Sequence, residues 1–198
     1  MRVQAVLSII GILGVLALVT ACAATPDVSA EAGPEARRAL AEAAARGPVL
    51  AVVDGTIGAL TPSERDRLVT GAMARGVTGL DVRFTTDPAQ AAAPDPYLAV
   101  VLNAPPVTPA AAACRRTARP GGAPAGDRLH VLAAFCRGQE VLGAARGSIQ
   151  APLDDPRQLE RLLWSTAAAL FPDDYAESYG FDILPGWLDL GIGGSFGF

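Results

Sequence analysis

Arg128-Leu129-His130-Val131-Leu132-Ala133-Ala134-Phe135-Cys136, then Arg137-Gly138-Gln139, then Glu140-Val141-Leu142-Gly143-Ala144-Ala145-Arg146-Gly147-Ser148-Ile149, reads as two strands around a tight turn. Leu129, Val131, Ala133 and Phe135 fall on one face, and His130, Leu132 and Ala134 on the other. Successive strand side chains point to opposite faces, so this alternation predicts a hairpin with its larger apolar side turned to a core. Such a hairpin needs a layer to cover it, and the flanking segments supply one.

Downstream, Asp155-Pro156-Arg157-Gln158 carries helix-start chemistry, and a helix is expected to about Phe171, where Pro172 stops it. Leu159, Leu162, Leu163, Thr166 and Leu170 line one side of it. Upstream, Val49 to Val53 is a short continuous apolar run, as in a buried strand. Thr61-Pro62-Ser63-Glu64 is a capping box, in which the threonine oxygen takes an amide and Glu64 reaches back. The helix it opens is expected to run to about Arg75, with Leu68, Val69, Ala72 and Met73 facing the core. Leu80, Val82 and Phe84 alternate with Asp81 and Arg83, and Tyr97 to Leu102 reads as a central strand. Asp87 to Pro96 and Asn103 to Gly126 are expected as loops, the second long for a compact domain.

Together these elements predict an α/β fold: a single two-layer domain with a mixed β-sheet of about five strands and two helices packed on it. It is expected over residues 48–172. Ahead of it, Pro34 to Arg46 reads as an alanine-rich helix with Pro34 at its first position and Gly47 past its end. Leu40 is its only large apolar residue, so weak packing, as in a stalk, is expected. Ala23 to Gly33 reads as a polar, Pro-punctuated tether. Residues 173–198 read as a glycine- and aromatic-rich tail, expected to pack on the domain or on a partner.

The amino terminus adds a location. Arg2 is followed by the apolar stretch Val3 to Val19 and then by Thr20-Ala21-Cys22, the layout of a secretory signal over residues 1–21 that ends on a cysteine. Val19-Thr20-Ala21-Cys22 resembles the lipobox of bacterial lipoproteins. That resemblance implies a diacylglyceryl thioether on Cys22, which becomes the first residue of a mature chain with a lipidated tether and Ala-rich helix over 22–47. Ala23, rather than aspartate, follows the cysteine, which in such lipoproteins favours the outer membrane over the inner. The competing reading is an uncleaved signal anchor with an incidental Cys22, but Thr25-Pro26-Asp27 follows where basic stop-transfer residues belong.

Composition narrows the partners. All 16 basic residues are arginine, the net charge is −4, and the densest basic group is Arg115, Arg116 and Arg119. Nucleic acid is not an expected partner, because duplex binding draws on several phosphate-neutralising cations. The three arginines are candidates for anion contact, against a plain solubilising role. With Cys22 lipidated, Cys114 and Cys136 are left as an even pair in an oxidising compartment, where a bridge that pins the long loop is expected over two free buried thiols.

Catalytic machinery is not visible. Val52-Val53-Asp54-Gly55-Thr56 is similar to the Asp-x-Asp-Gly-Thr motif of haloacid-dehalogenase-type phosphatases, but Val52 replaces the nucleophilic aspartate. His130 is the only imidazole, and a strand position without converging partners does not make a general base. No Gly-x-Ser-x-Gly elbow occurs, Asp155 is better used as a helix cap than as a cation ligand beside Asp154, and no metal site or cofactor is expected.

The element order, the Tyr97 strand, the hairpin and the helix ending Leu170-Phe171-Pro172 look like the anticodon-binding-like fold of several envelope lipoproteins. That group includes the curli-secretion lipoprotein and the lipoprotein activators of penicillin-binding proteins. The resemblance implies a non-enzymatic outer-membrane lipoprotein on the periplasmic face, attached to the membrane by its lipid and acting as an assembly or scaffolding accessory through another envelope protein. Tyr175, Tyr179, Trp187, Phe196 and Phe198 are the candidate partner contacts. The alternative is a carrier that holds a small apolar ligand or lipid between sheet and helices.

Overall fold

The computed structural model describes residues 25–121, 128–150 and 155–173. Within them the chain is an α/β fold built on one open, mixed sheet of six strands. The strands are β1 (Asp27–Ala32), β2 (Val49–Asp54), β3 (Phe84–Thr85), β4 (Ala93–Leu102), β5 (Arg128–Arg137) and β6 (Glu140–Gln150). The helices are α1 (Pro34–Ala44), α2 (Pro62–Gly76), α3 (Ala110–Cys114) and α4 (Pro156–Leu170). Strand order is β1-β6-β5-β4-β2-β3, antiparallel from β1 through β4, with β2 parallel to both β4 and β3.

The hairpin forms as its alternation requires. Arg137 pairs with Glu140, and Gly138 turns the chain at φ 58°, a left-handed value that glycine adopts without a Cβ clash. Leu129, Val131, Ala133 and Phe135 join the main core with α1, α2 and α4. Phe135 meets Phe171 edge to face, with ring centroids 5.3 Å apart. Both capping-box bonds of α2 are present: the Glu64 amide donates to Thr61 Oγ1 at 3.4 Å, and the Thr61 amide donates to Glu64 at 2.9 Å. Donation from the Thr61 hydroxyl, and secondarily from its amide, lowers the carboxyl pKa of Glu64.

Four expectations need correction. From Asp27, the segment read as a tether is strand β1, paired along its length with β6 from Asp27↔Ser148 to Ala32↔Gly143. Second, α1 is no loose stalk. Leu40 and Ala36 are fully buried, and alanine lets the helix lie so close that a Cβ on Gly143 would stand 3.0 Å from that of Ala36. Arg37 is buried and donates to the carbonyls of Phe171 (3.0 Å) and Thr78 (2.7 Å). Third, of the alternating segment Leu80–Phe84 only Phe84 pairs as a strand, continued by Thr85; Val82 is buried without pairing.

Fourth, the two loops are partly regular. β4 begins at Ala93, and the ladder steps from Val49↔Ala93 to Leu50↔Tyr97, which leaves Pro94, Asp95 and Pro96 bulged where proline has no amide to give. The segment after β4 folds back over the outer sheet face and carries α3. Leu50, Tyr97, Ala99, Val101, Leu132, Ala134, Cys136 and Ala144 are buried there with Ala104, Ala113 and Cys114. Both faces of the central sheet are thus covered, one by helices and one by this loop.

Candidate functional site

The loop that covers the outer face is fixed at three points. The Cys114–Cys136 disulfide joins α3 to β5, with Cα atoms 5.5 Å apart. The Tyr97 hydroxyl donates to the Cys114 carbonyl at 2.5 Å. Arg146, on β6, donates to the carbonyls of Pro106 and Thr108, on either side of Val107. Val107 is left 88% exposed at the tip of the proline segment.

Beneath this loop runs a groove of mixed polar and apolar lining along β1 and β6. One cleft of about 180 Å³ is lined by Asp27, Ser29, His130, Arg146, Ser148 and Pro106. A neighbouring cleft of about 500 Å³ reaches Glu31, Pro109 and Ala144. Register explains the lining. Asp27 pairs with Ser148, and Ser148 pairs with His130, so the three form one cross-strand row on the outer face.

That row holds the residue types of a hydrolytic triad in the wrong order. Nucleophilic catalysis needs the imidazole between hydroxyl and carboxylate, so that it takes the proton from one and is oriented by the other. Here the serine stands in the middle. Among the described residues no hydrogen bond links His130 to either neighbour; Ser148 Oγ instead accepts from Arg128 at 3.4 Å. Burial, and then the charge of Arg128, depress the pKa of His130. The groove can hydrogen-bond a polar group, but it is not assembled for acyl transfer.

Among the other candidates, Arg115, Arg116 and Arg119 are exposed, and Arg116 lies over the Tyr97 ring with its guanidinium carbon 5.5 Å from the centroid. Asp54-Gly55-Thr56 is a strand exit. Gly55 has φ 97°, and a Cβ there would lie 2.6 Å from the Leu102 carbonyl oxygen, so glycine is required by close backbone approach. Asp155 caps α4, its carboxylate accepting from the Arg157 amide at 3.0 Å. Cys22, Asp154, Tyr175, Tyr179, Trp187, Phe196 and Phe198 lie outside the described residues. Among the described residues no helix is long and apolar enough to cross a membrane, and no group of three His, Cys, Asp or Glu side chains is placed to hold a metal ion.

Two features were missed at the level of sequence. The Asp27-Ser148-His130 row depends on β1, whose signal is the alternation of polar Asp27, Ser29 and Glu31 with Val28, Ala30 and Ala32. Trp164 is 44% exposed on α4, and its signal is the helical spacing of Arg157, Arg161 and Trp164.

No family model matches the chain, and no curated protein does. Among solved structures it is similar to a PelC dodecamer from Paraburkholderia phytofirmans, at 15% identity and a TM-score of 0.40. It is also similar to a substituted variant of that dodecamer, at 18% identity and 0.39. Each covers 74% of this chain and 97% of the other.

Proposed function

We propose that the chain is an outer-membrane lipoprotein, held at the periplasmic face by acyl chains on Cys22, that acts without catalysis as an assembly or scaffolding accessory through contacts with another envelope protein. The observation that supports contact over carriage is the filling of the helix side of the sheet. Leu40, Leu98, Phe135, Leu162, Leu163 and Leu170 are fully buried there. A carrier needs a chamber of roughly 300 Å³ or more, largely apolar, in that space. The cleft of about 500 Å³ lies instead on the outer face, where Ser29, Glu31 and Arg146 interrupt its Ala30, Pro109, Ala110 and Ala144 lining.

The position of β1 sharpens the anchoring. Only Ala23 to Pro26 separates Cys22 from Asp27, a span of at most roughly 17 Å when fully extended. Acylated at Cys22, the domain sits against the bilayer at its Asp27 end rather than on a long stalk. Partner contact is assigned to the tail aromatics Tyr175, Tyr179, Trp187, Phe196 and Phe198, side chains that offer large area for few rotatable bonds. Arg115, Arg116 and Arg119 are assigned a secondary role toward an anionic partner.

Radiolabelled palmitate tests the anchor: label on the wild-type chain and none on Cys22→Ser supports it, and an unlabelled wild-type chain rejects it. Crosslinking in intact cells, read by mass spectrometry, tests the contact. Trp187→Ala should remove specific crosslinks to one envelope protein; an unchanged crosslink pattern rejects the tail as the contact.

A further inference from the structure

Helix α4 buries Leu159, Leu162, Leu163, Ala167 and Leu170, yet its solvent side carries a tryptophan where the helical pattern calls for a polar residue. The Trp164 indole donates its only N–H to the Arg75 carbonyl at 3.0 Å, which fixes the ring and leaves its face open. Gly76 makes this possible, because the absence of a side chain lets the end of α2 press against the Trp164 backbone. Around the ring, Arg75, Arg157, Glu160 and Arg161 line a cleft of about 250 Å³. Arg75 pairs with Glu160, and among the described residues neither Arg157 nor Arg161 pairs with a carboxylate. The surface is therefore an aromatic face bordered by two guanidinium groups that pair with no carboxylate among the described residues.

The sequence supplies its complement. Sixteen of the 20 acidic residues precede Asp174 and equal the 16 arginines in number, all of which also precede it. The last 25 residues hold Asp174, Glu177, Asp182 and Asp189 with no basic side chain, so they carry the whole net charge of −4. That segment starts from the end of α4 itself, where the Asp173 carboxylate is held by Arg37 at 3.3 Å. From Trp164 to Leu170 the helix rises only about 9 Å, whereas the nine residues Asp174 to Asp182 can span up to about 30 Å. We propose that Asp174–Asp182 docks in cis on the Trp164 surface. Its carboxylates would face Arg157 and Arg161, and Tyr175, Tyr179 or Phe181 would lie against the indole. The proposal does not depend on lipidation of Cys22; it withdraws Tyr175 and Tyr179 from the partner contact assigned above and leaves Trp187, Phe196 and Phe198, beyond the docked stretch, for a partner.

The chain has two tryptophans, so Trp187→Phe leaves Trp164 as the only tryptophan emitter, excited selectively on the red edge of its absorption where tyrosine does not absorb. In the purified full chain carrying that substitution, acrylamide quenching reports how open the Trp164 face is. The expected result is protection that does not change on dilution. It should be lost, with about a twofold rise in the quenching constant, when Asp174→Asn, Glu177→Gln and Asp182→Asn are combined, or at ionic strength that screens exposed charges. Charge reversal of Arg157 and Arg161 to Glu should expose the tryptophan likewise. Reversal of the three tail acids to Arg in that background should restore protection, a rescue that misfolding would not give. Quenching that ignores tail neutralisation overturns the proposal, and so does protection that falls away on dilution, which would make the occupant a second copy.

Discussion

The Tyr97 hydroxyl and the Cys114 carbonyl oxygen are 2.5 Å apart, so the first buried residue of β4 holds the backbone of the residue that is disulfide-bonded to β5. Hydrogen bond and disulfide converge on one corner of the outer layer. There α3 is too short to hold itself, since a single helical turn is marginal in water. The outer loop is therefore kept on the sheet by attachments at its ends and by Arg146, not by its own secondary structure.

Removal of the covalent attachment should show this directly. The bridge spans 22 positions of sequence, and its loss in Cys114→Ala/Cys136→Ala is expected to cost roughly 3 kcal/mol on the chain-entropy model. Tyr97→Phe should cost about 1 kcal/mol through the lost hydrogen bond. In the double-cysteine background the same Tyr97→Phe change should cost more than in the wild type, because it then removes the remaining tie at that corner. Chemical denaturation of the four proteins measures all three quantities.

Arg37 is the other buried organiser. Its guanidinium donates to two carbonyls, those of Phe171 and Thr78, and pairs with Asp173. Arg37→Ala strands those carbonyls between α1, the end of α2 and the end of α4, and a loss of about 2–3 kcal/mol is expected for hydrogen bonds to a charged group. Asp173→Asn removes only a part-exposed ion pair and should cost less than about 1 kcal/mol. If the two variants unfold at the same denaturant concentration, the carbonyl contacts contribute nothing and the assignment fails.

Much of this fold was legible because the signals were local. The period-2 pattern of Leu129 to Phe135 placed each residue on its correct face, and Thr61 with Glu64 marked the start of α2. β1 was hidden because Val28 is its only large apolar residue, and its pairing is supplied by β6 more than a hundred residues later. For α1 the rule that small residues pack weakly misled, since alanine burial gains from a close approach to Gly143 that no local pattern reveals. The same non-locality hid the groove. His130 was visible as a lone imidazole, but its neighbours Ser148 and Asp27 are fixed only by cross-strand register.

Close approach also makes Gly76 a sensitive position. A methyl group added there would strike the Trp164 backbone oxygen and lie 2.7 Å from the Ala167 Cβ, neither of which is the free end of a flexible chain. Gly76→Ala is expected to destabilise by roughly 1–3 kcal/mol, as overpacking does, despite the higher helix propensity of alanine. Gly71→Ala, in the same helix, would meet only the Arg75 side chain at 3.3 Å and should be close to neutral or stabilising. Equal stability of the two variants would mean that α2 and α4 are not in tight contact at Gly76.

His130 should leave a signature in acid. Burial and the Arg128 charge lower its pKa from 6.5, so the folded state holds its proton less readily than the unfolded chain does. Above about pH 6.5 both states are neutral there and stability is unaffected. As pH falls through that value the unfolded chain takes up the proton first, and stability declines until the folded imidazole also titrates. Glu64 acts in a different window. Its carboxyl pKa is lowered by Thr61 from 4.5, so its contribution is present above that value and disappears as pH falls through the lower folded one. His130→Gln should therefore flatten the stability profile just below pH 6.5 and leave the slope below pH 4.5 as it was. Thermal or denaturant unfolding across that range separates the two, and a variant profile that parallels the wild type near pH 6 would show that the groove does not hold His130 in its neutral form.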